Sequence, residues 1–266
     1  MILRALQEVI DLGVGVFGLL VVALLALLGE VGFRVGRIRG GAEPLPDNKT
    51  SSVSTLTAGM LGLMAFTLAL TVSFAQDRFE SRRHATLDEA NTIGTAWLRT
   101  GLAGPPGKPI AALIEEYARG CLTYLVALSP DAAAEALAHT NTLQTEIWQR
   151  TLPVLEGMPP PLASALVSSV NDMFDASLVQ RYAMESHVPT ETMLTLLIGA
   201  MFAVGALGYQ TGLAGRRHPV LALLLLFMVS GAMILIIDFN RPRTGLTRVN
   251  PAPLVWTIQG FAPAAP

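Results

Sequence analysis

Four stretches of the chain carry no charge and are long enough to cross a bilayer: Leu12 to Gly29, Thr50 to Gln76, Thr192 to Gly215, and Pro219 to Ile237. Spanning about 30 Å of hydrocarbon at about 1.5 Å per residue takes about 20 residues in a helix. The pattern changes abruptly after the second run. With neither glycine nor proline at the junction, FTLALTVSFAQ turns into DRFESRRHATLDEAN, as expected of one helix that leaves lipid and continues in water. The first run differs from a signal peptide, because Glu8 and Asp11 stand where basic residues are expected and LLVVALLALLG offers no clean small-residue cleavage site. It is therefore read as a retained span.

Between the second and third runs the apolar positions recur at helical spacing, without the alternation of strands. Asp77 to about Arg99 continues the second span, with Phe79, Leu87, Ala90, Ile93 and Trp97 as buried positions, until GLAGPPGKP breaks it. Ile110, Leu113, Ile114, Tyr117, Cys121, Leu125 and Leu128 trace the next stripe. Ser129, Pro130 and Asp131 then supply a cap, a first-turn proline and a first-turn acid for a helix running from Pro130 to about Arg150. Beyond Pro153 and Pro159 to Pro161, a last stripe follows Leu162, Leu166, Val170, Met173, Phe174, Leu178 and Tyr182.

The expected fold is thus an all-α membrane protein with four transmembrane helices and a helical soluble region between the second and third. The expected divisions are 1–49, a first span and a loop; 50–100, a second span continuing into a soluble helix; 101–188, a soluble helical region; 189–240, the third and fourth spans; and 241–266, an extended tail. Segment 30–49, with its glycines and prolines, is read as that loop. Gly59 and Gly62 are read as points of close helix approach in the second span.

Composition supports the membrane assignment: 52% of residues are hydrophobic, 14% are charged, and mean hydropathy is +0.50. Ordinary soluble domains are about 25% charged. A net charge of -2 suggests no nucleic-acid partner. Cys121, the single cysteine, cannot form an internal disulfide. Near the span ends Arg4, Arg78, Arg82, Arg83, Arg241, Arg243 and Arg248 face one side, against Arg34, Arg37, Arg39, Lys49, Arg216 and Arg217 on the other, a balance that leaves orientation open. Asn48 begins a glycosylation triplet of the kind that arises by chance.

With four crossings, the ends of the second and fourth spans and the start of the third share one side of the bilayer. Asp77, Arg78, Arg82, Glu191, Asp238 and Arg241 are therefore expected in one interfacial layer, with Glu89 nearby. Arg78 and Arg82 repel on one helical face unless an acid intervenes, and Asp238 is the acid expected to pair with one of them. The layer either anchors helix ends or lines the entrance of an ion path. The hydroxyls of Thr55, Thr57, Thr67, Thr71 and Ser73 do not decide between these, since they can bond their own helix carbonyls. The histidines are scattered, and no phosphate loop, dinucleotide fingerprint or nucleophile elbow is present. No catalytic residue, cofactor or metal is expected, and the chain is not read as an enzyme.

The segments GLMAFTLALTVSFAQDRFESRR, DEANTIGTAWLR, VNDMFDASLVQRY and DFNRPRTGLTRVNPAPL together resemble the bestrophin-like family of bacterial membrane proteins over roughly residues 50 to 255. The resemblance implies a relation to bestrophins, which are homo-oligomeric anion channels with four spans per subunit and both termini in the cytoplasm. It implies a homo-oligomer in the bacterial inner membrane, with the termini and the helical region cytoplasmic and the lipid bilayer as its surroundings. The closely spaced phenylalanines and the acidic calcium cluster of the bestrophin channel are not evident, for Phe66 and Phe74 stand eight apart. An ion channel selective for anions is the leading expectation. The alternative is a non-conducting scaffold or regulatory protein whose soluble helices bind an unidentified partner.

Overall fold

A computed structural model describes residues 13–40 and 47–261. Arg4, Glu8, Asp11 and the centre of the first loop lie outside the described residues. The order is α1 (Val14–Gly40), α2 (Asp47–Thr100), two short 3-10 turns (Gly101–Ala103 and Pro105–Gly107), α3 (Lys108–Val126), α4 (Pro130–Leu155), α5 (Pro160–Glu185), α6 (Thr190–Leu213), α7 (Pro219–Phe239) and α8 (Ala252–Gly260). No strand occurs among the described residues. Four helices are long and apolar enough to cross a membrane, and the protein is an all-α membrane protein.

The chain divides into two compact units, one comprising the residues up to Asp77 with His187–Asn240, the other Arg78–Ser186 with Arg241 onward. In the first unit the four spans share a core in which Phe17, Val21 and Leu25 of α1 meet Met64, Leu68 and Ala75 of α2, Met193, Leu196 and Ala200 of α6, and Val229, Met233 and Ile236 of α7. The start of the third span is tied to the end of the fourth: Val188 N–H donates to Asn240 Oδ1 at 2.7 Å. The same amide's Nδ2 reaches back to the Val188 carbonyl at 3.5 Å.

Close helix approach falls elsewhere than the sequence suggests. Gly59 and Gly62 face nothing within 4 Å, whereas Gly32 and Gly36 of α1 interlock with Gly208 and Gly212 of α6. A Cβ on Gly32 would collide with the Gly205 carbonyl, one on Gly36 with that of Tyr209, one on Gly208 with that of Gly29, and one on Gly212 with that of Phe33. In lipid, where apolar side chains gain nothing by leaving their solvent, backbone contact along small residues is an effective way to hold helices together. This also corrects the expected loop at 30–49, because residues up to Gly40 remain helical and their glycines serve packing rather than chain reversal.

The second unit combines the far half of α2 with α3, α4, α5 and α8. Ser129 caps α4 as expected, its hydroxyl oxygen accepting from Ala132 N–H at 3.2 Å. Pro153 stands in the last turn of α4, which continues to Leu155. The α2–α3 corner relies on Gly104, at φ +62°, and on Gly107, where a Cβ would strike the Thr100 carbonyl. Residues 241–266 are not extended throughout, since α8 packs in this unit. Thr257 Oγ1 donates to the Ala90 carbonyl at 3.2 Å, and the Phe261 ring lies 5.1 Å from that of Trp97.

Substituting Gly208 or Gly32 by Ala should lower the unfolding midpoint of the detergent-solubilised protein, with an overpacking cost of about 1 to 3 kcal/mol. Gly231→Ala, where a Cβ meets nothing within 4 Å, should leave the midpoint unchanged or slightly raised. Thermal denaturation followed by circular dichroism measures both.

Candidate functional site

The second span is covered by its own chain along one stripe. Thr57, Met64, Leu68, Thr71 and Ala75 are buried, at the spacing of a single helical seam. Leu56, Met60, Leu63, Phe66, Leu70 and Phe74 are exposed, Phe66 at 60% and Phe74 at 61%. Thr55, Thr67 and Thr71 donate to carbonyls one turn back, at 2.9 to 3.0 Å, so these hydroxyls are spent within the helix. The rest of the α2 surface therefore meets lipid, water or another subunit.

At 54 residues, α2 is about 80 Å long and only part of it can lie in hydrocarbon. Its charged half begins at Asp77. Of the residues expected in one layer, Asp77 and Asp238 belong to the first unit, and Arg78, Arg82, Glu89 and Arg241 to the second. Asp238 is buried, whereas Asp77 and Arg78 are exposed.

Arg82, 1% exposed, is among the largest fully buried side chains of the described residues. Its Nε donates to the Ala183 carbonyl at 3.0 Å and its Nη2 to the Ser186 carbonyl. These are among the last carbonyls of α5, which have no partner within their own helix and form the negative end of its dipole. Burial, and next the nearby Arg78, lower the Arg82 pKa to about 10, which still leaves it protonated at neutral pH. The end of α5 as an acceptor has no sequence signal, because nothing in the pattern announces which helix end will meet an arginine a hundred residues away.

Glu89 lies two helical turns beyond Arg82, inside the core of the second unit. It is 2% exposed, and its carboxylate accepts from the Cys121 thiol and the Ser177 hydroxyl. Tyr117, fully buried, joins this cluster, its hydroxyl accepting from Gln144 Nε2 at 3.0 Å. Thus α2, α3, α4 and α5 each contribute a polar side chain to one buried network. Burial pushes the Glu89 carboxyl up to about 7 against the two hydrogen bonds. Burial likewise raises the Cys121 thiol and the Tyr117 phenol. A sequence signal did exist: Arg82, Thr86, Glu89 and Ile93 follow one helical face, so Glu89 stands on the apolar stripe rather than beside it.

A separate cavity of about 420 Å³ lies in the first unit among α1, α6 and α7. Its walls are largely apolar, and Glu30 and Arg217 are among the residues that line it. Glu30 accepts from both terminal nitrogens of Arg217 at 3.1 Å and from Arg34 Nε at 2.9 Å. Among the described residues no three His, Cys, Asp or Glu side chains converge as metal ligands would.

These features define a four-span helical membrane protein with a helical extramembrane unit inserted between the second and third spans. The sequence matches the Bestrophin-like domain over residues 20–254, and the chain belongs to that family. Its fold is similar to crystal structures of a bacterial bestrophin homolog from Klebsiella pneumoniae. A variant of that homolog with one tryptophan replaced by alanine aligns with TM-score 0.67 and 13% identity over 90% of this chain and 95% of that one. A variant with one isoleucine replaced by threonine gives TM-score 0.65 and 14% identity, covering 92% and 97%. A structure of the homolog phased on zinc gives 0.64 and 15%, covering 92% and 95%. No curated protein matches the sequence.

The buried carboxyl gives the protein a pH dependence of definite sign. Because the folded state holds the Glu89 proton to about pH 7 whereas an unfolded glutamate releases it near its ordinary value of 4.5, stability is greatest below the lower value. It falls between the two and levels off above. Glu89→Gln, which keeps the size and polarity of the side chain, should flatten that fall and raise the unfolding midpoint at pH 8. Midpoints of both proteins from pH 5 to 8 test this, and parallel profiles would contradict it.

Proposed function

We propose that the chain is one subunit of a homo-oligomeric ion channel selective for anions, with the second span lining the path and Arg78 at its vestibule. The observation that carries this reading is the surface of α2. A helix that crosses the membrane with only one stripe covered by its own chain, and with an arginine pair at the end of that stripe, suits a symmetric assembly around a central axis. Family membership supports the same reading, as do the arginines that follow the apolar run. Arg78 is exposed and free to meet a permeating anion, whereas Arg82 is engaged with the end of α5 and holds the vestibule wall. Asp77 and Asp238, which end the second and fourth spans in the first unit, belong to the interfacial charge of this reading. The setting that fits is the bacterial inner membrane, with the termini and the second unit in the cytoplasm.

A second reading, a non-conducting scaffold, draws on a different observation. On α5 the apolar stripe is buried at Leu166, Val170 and Met173 but turns outward further on, leaving Leu178 66%, Val179 58% and Tyr182 75% exposed. Such a patch fits a protein partner as well as a neighbouring subunit.

Purified protein in planar bilayers should conduct under a salt gradient, with a reversal potential set by the anion. Arg78→Glu should shift the anion-to-cation permeability ratio severalfold toward cations with little loss of stability. Absence of current across several salts and pH values would favour the scaffold.

A further inference from the structure

The segment after the fourth span is fixed by its own hydrogen bonds. Gly245 N–H donates to the Arg241 carbonyl at 2.9 Å, and Val249 N–H to that of Pro242 at 3.1 Å. Arg248 Nε donates to the Gly245 carbonyl at 3.1 Å. This turn lays the Arg243 guanidinium over the Tyr124 ring, with the central carbon 4.5 Å from the ring centroid. Tyr124 is 7% exposed and packs with Ala127, Ala133 and Ala136, where α3 gives way to α4.

Arg243 Nε and Nη2 are buried, and among the described residues neither has a hydrogen-bond partner. The phenolic oxygen of Tyr124 is in the same condition. Nε and Nη2 form one edge of the guanidinium, the fork that takes a carboxylate-like group through two parallel bonds. Buried donors of a charged group are seldom left without an acceptor, because the group has given up water for nothing in return. Stacking on the ring restrains the fork from turning toward solvent. Three unmet polar atoms on two touching side chains are explained together by one acceptor with two oxygens.

We propose that Arg243 and Tyr124 form a binding site for a small planar oxyanion of the carboxylate class. The Arg243 fork takes both oxygens, and the Tyr124 hydroxyl donates to one of them. The fork, held flat against the ring, favours a planar bidentate anion over a spherical one such as chloride. The site belongs wholly to the second unit and does not require that the assembly conduct.

The test uses the full-length protein in detergent, with its unfolding midpoint followed against increasing sodium acetate, and against sodium bicarbonate at pH 8. Sodium chloride of equal ionic strength is the reference. A saturable rise with acetate or bicarbonate beyond that with chloride is expected. Arg243→Gln should abolish the increment, and Arg243→Lys, which keeps the charge without the fork, should lose most of it. Tyr124→Phe should weaken the apparent affinity severalfold. Indistinguishable acetate and chloride profiles, or an increment that survives in Arg243→Gln, would overturn the proposal. So would an acetate-insensitive wild type whose subunit number, by native mass spectrometry, changes in Arg243→Gln, since a carboxylate of a second copy would then fill the fork. Should Arg243→Gln fail to fold, the lysine and phenylalanine variants carry the same comparison.

Discussion

The second span is gripped by its own chain along one seam, and the functional account depends on that asymmetry. Thr57, Met64, Leu68, Thr71 and Ala75 are covered, while a broad remaining surface from Leu56 to Phe74 is not. Lipid tails could cover that surface, because its residues are mostly apolar. The arginines that follow the apolar run, and the continuation of the same helix for more than six turns beyond Gln76, make a lone lipid-facing helix the poorer explanation. A helix placed around an axis uses such a surface twice, once against a neighbour and once toward the path.

Each unit solves a different packing problem. The first must hold helices together without a hydrophobic gain from burial, and it does so by backbone contact between the glycines of α1 and α6. The second folds by ordinary apolar burial, yet it places Arg82 and Glu89, two ionisable side chains, on the buried face of α2. Arg82 donates to two carbonyls at the end of α5, a helix that closes at Glu185 with Ser186 as its cap. Glu89 is satisfied by a thiol and a hydroxyl, and burial keeps its proton near neutrality. A buried polar group with specific partners fixes the register of the helices around it more tightly than apolar contact alone.

Much of this was legible in the sequence, because a charge-free run long enough to span a bilayer has few other uses. The Ser129 cap, the continuation of α2 past Asp77 and the helical character of the inserted region follow from local rules. What each residue meets is set by the tertiary fold and is not legible locally. Gly36 reads as a helix breaker in GRIRGG yet packs against the Tyr209 carbonyl, and Gly59 reads as a contact yet faces nothing in its own chain. Leu87, Leu128 and Tyr182 continue apolar stripes by spacing but are exposed, Leu87 because the buried face of α2 runs through Thr86, Glu89 and Ile93 beside it. Glu89 reads as one of the interfacial charges by its position in the chain, although its place on the Thr86 to Ile93 face points to the core. Arg243 carries no local signal, because its partner ring is brought to it by the tertiary fold.

The most direct measurement is single-particle imaging of the purified full-length protein in lipid nanodiscs. The account predicts a closed ring of identical subunits around a continuous axial opening, with Phe66 and Phe74 of every α2 turned toward the axis or the adjoining subunit. A particle in which α2 lies on the outer, lipid-facing surface, or one with no opening along its axis, would contradict it.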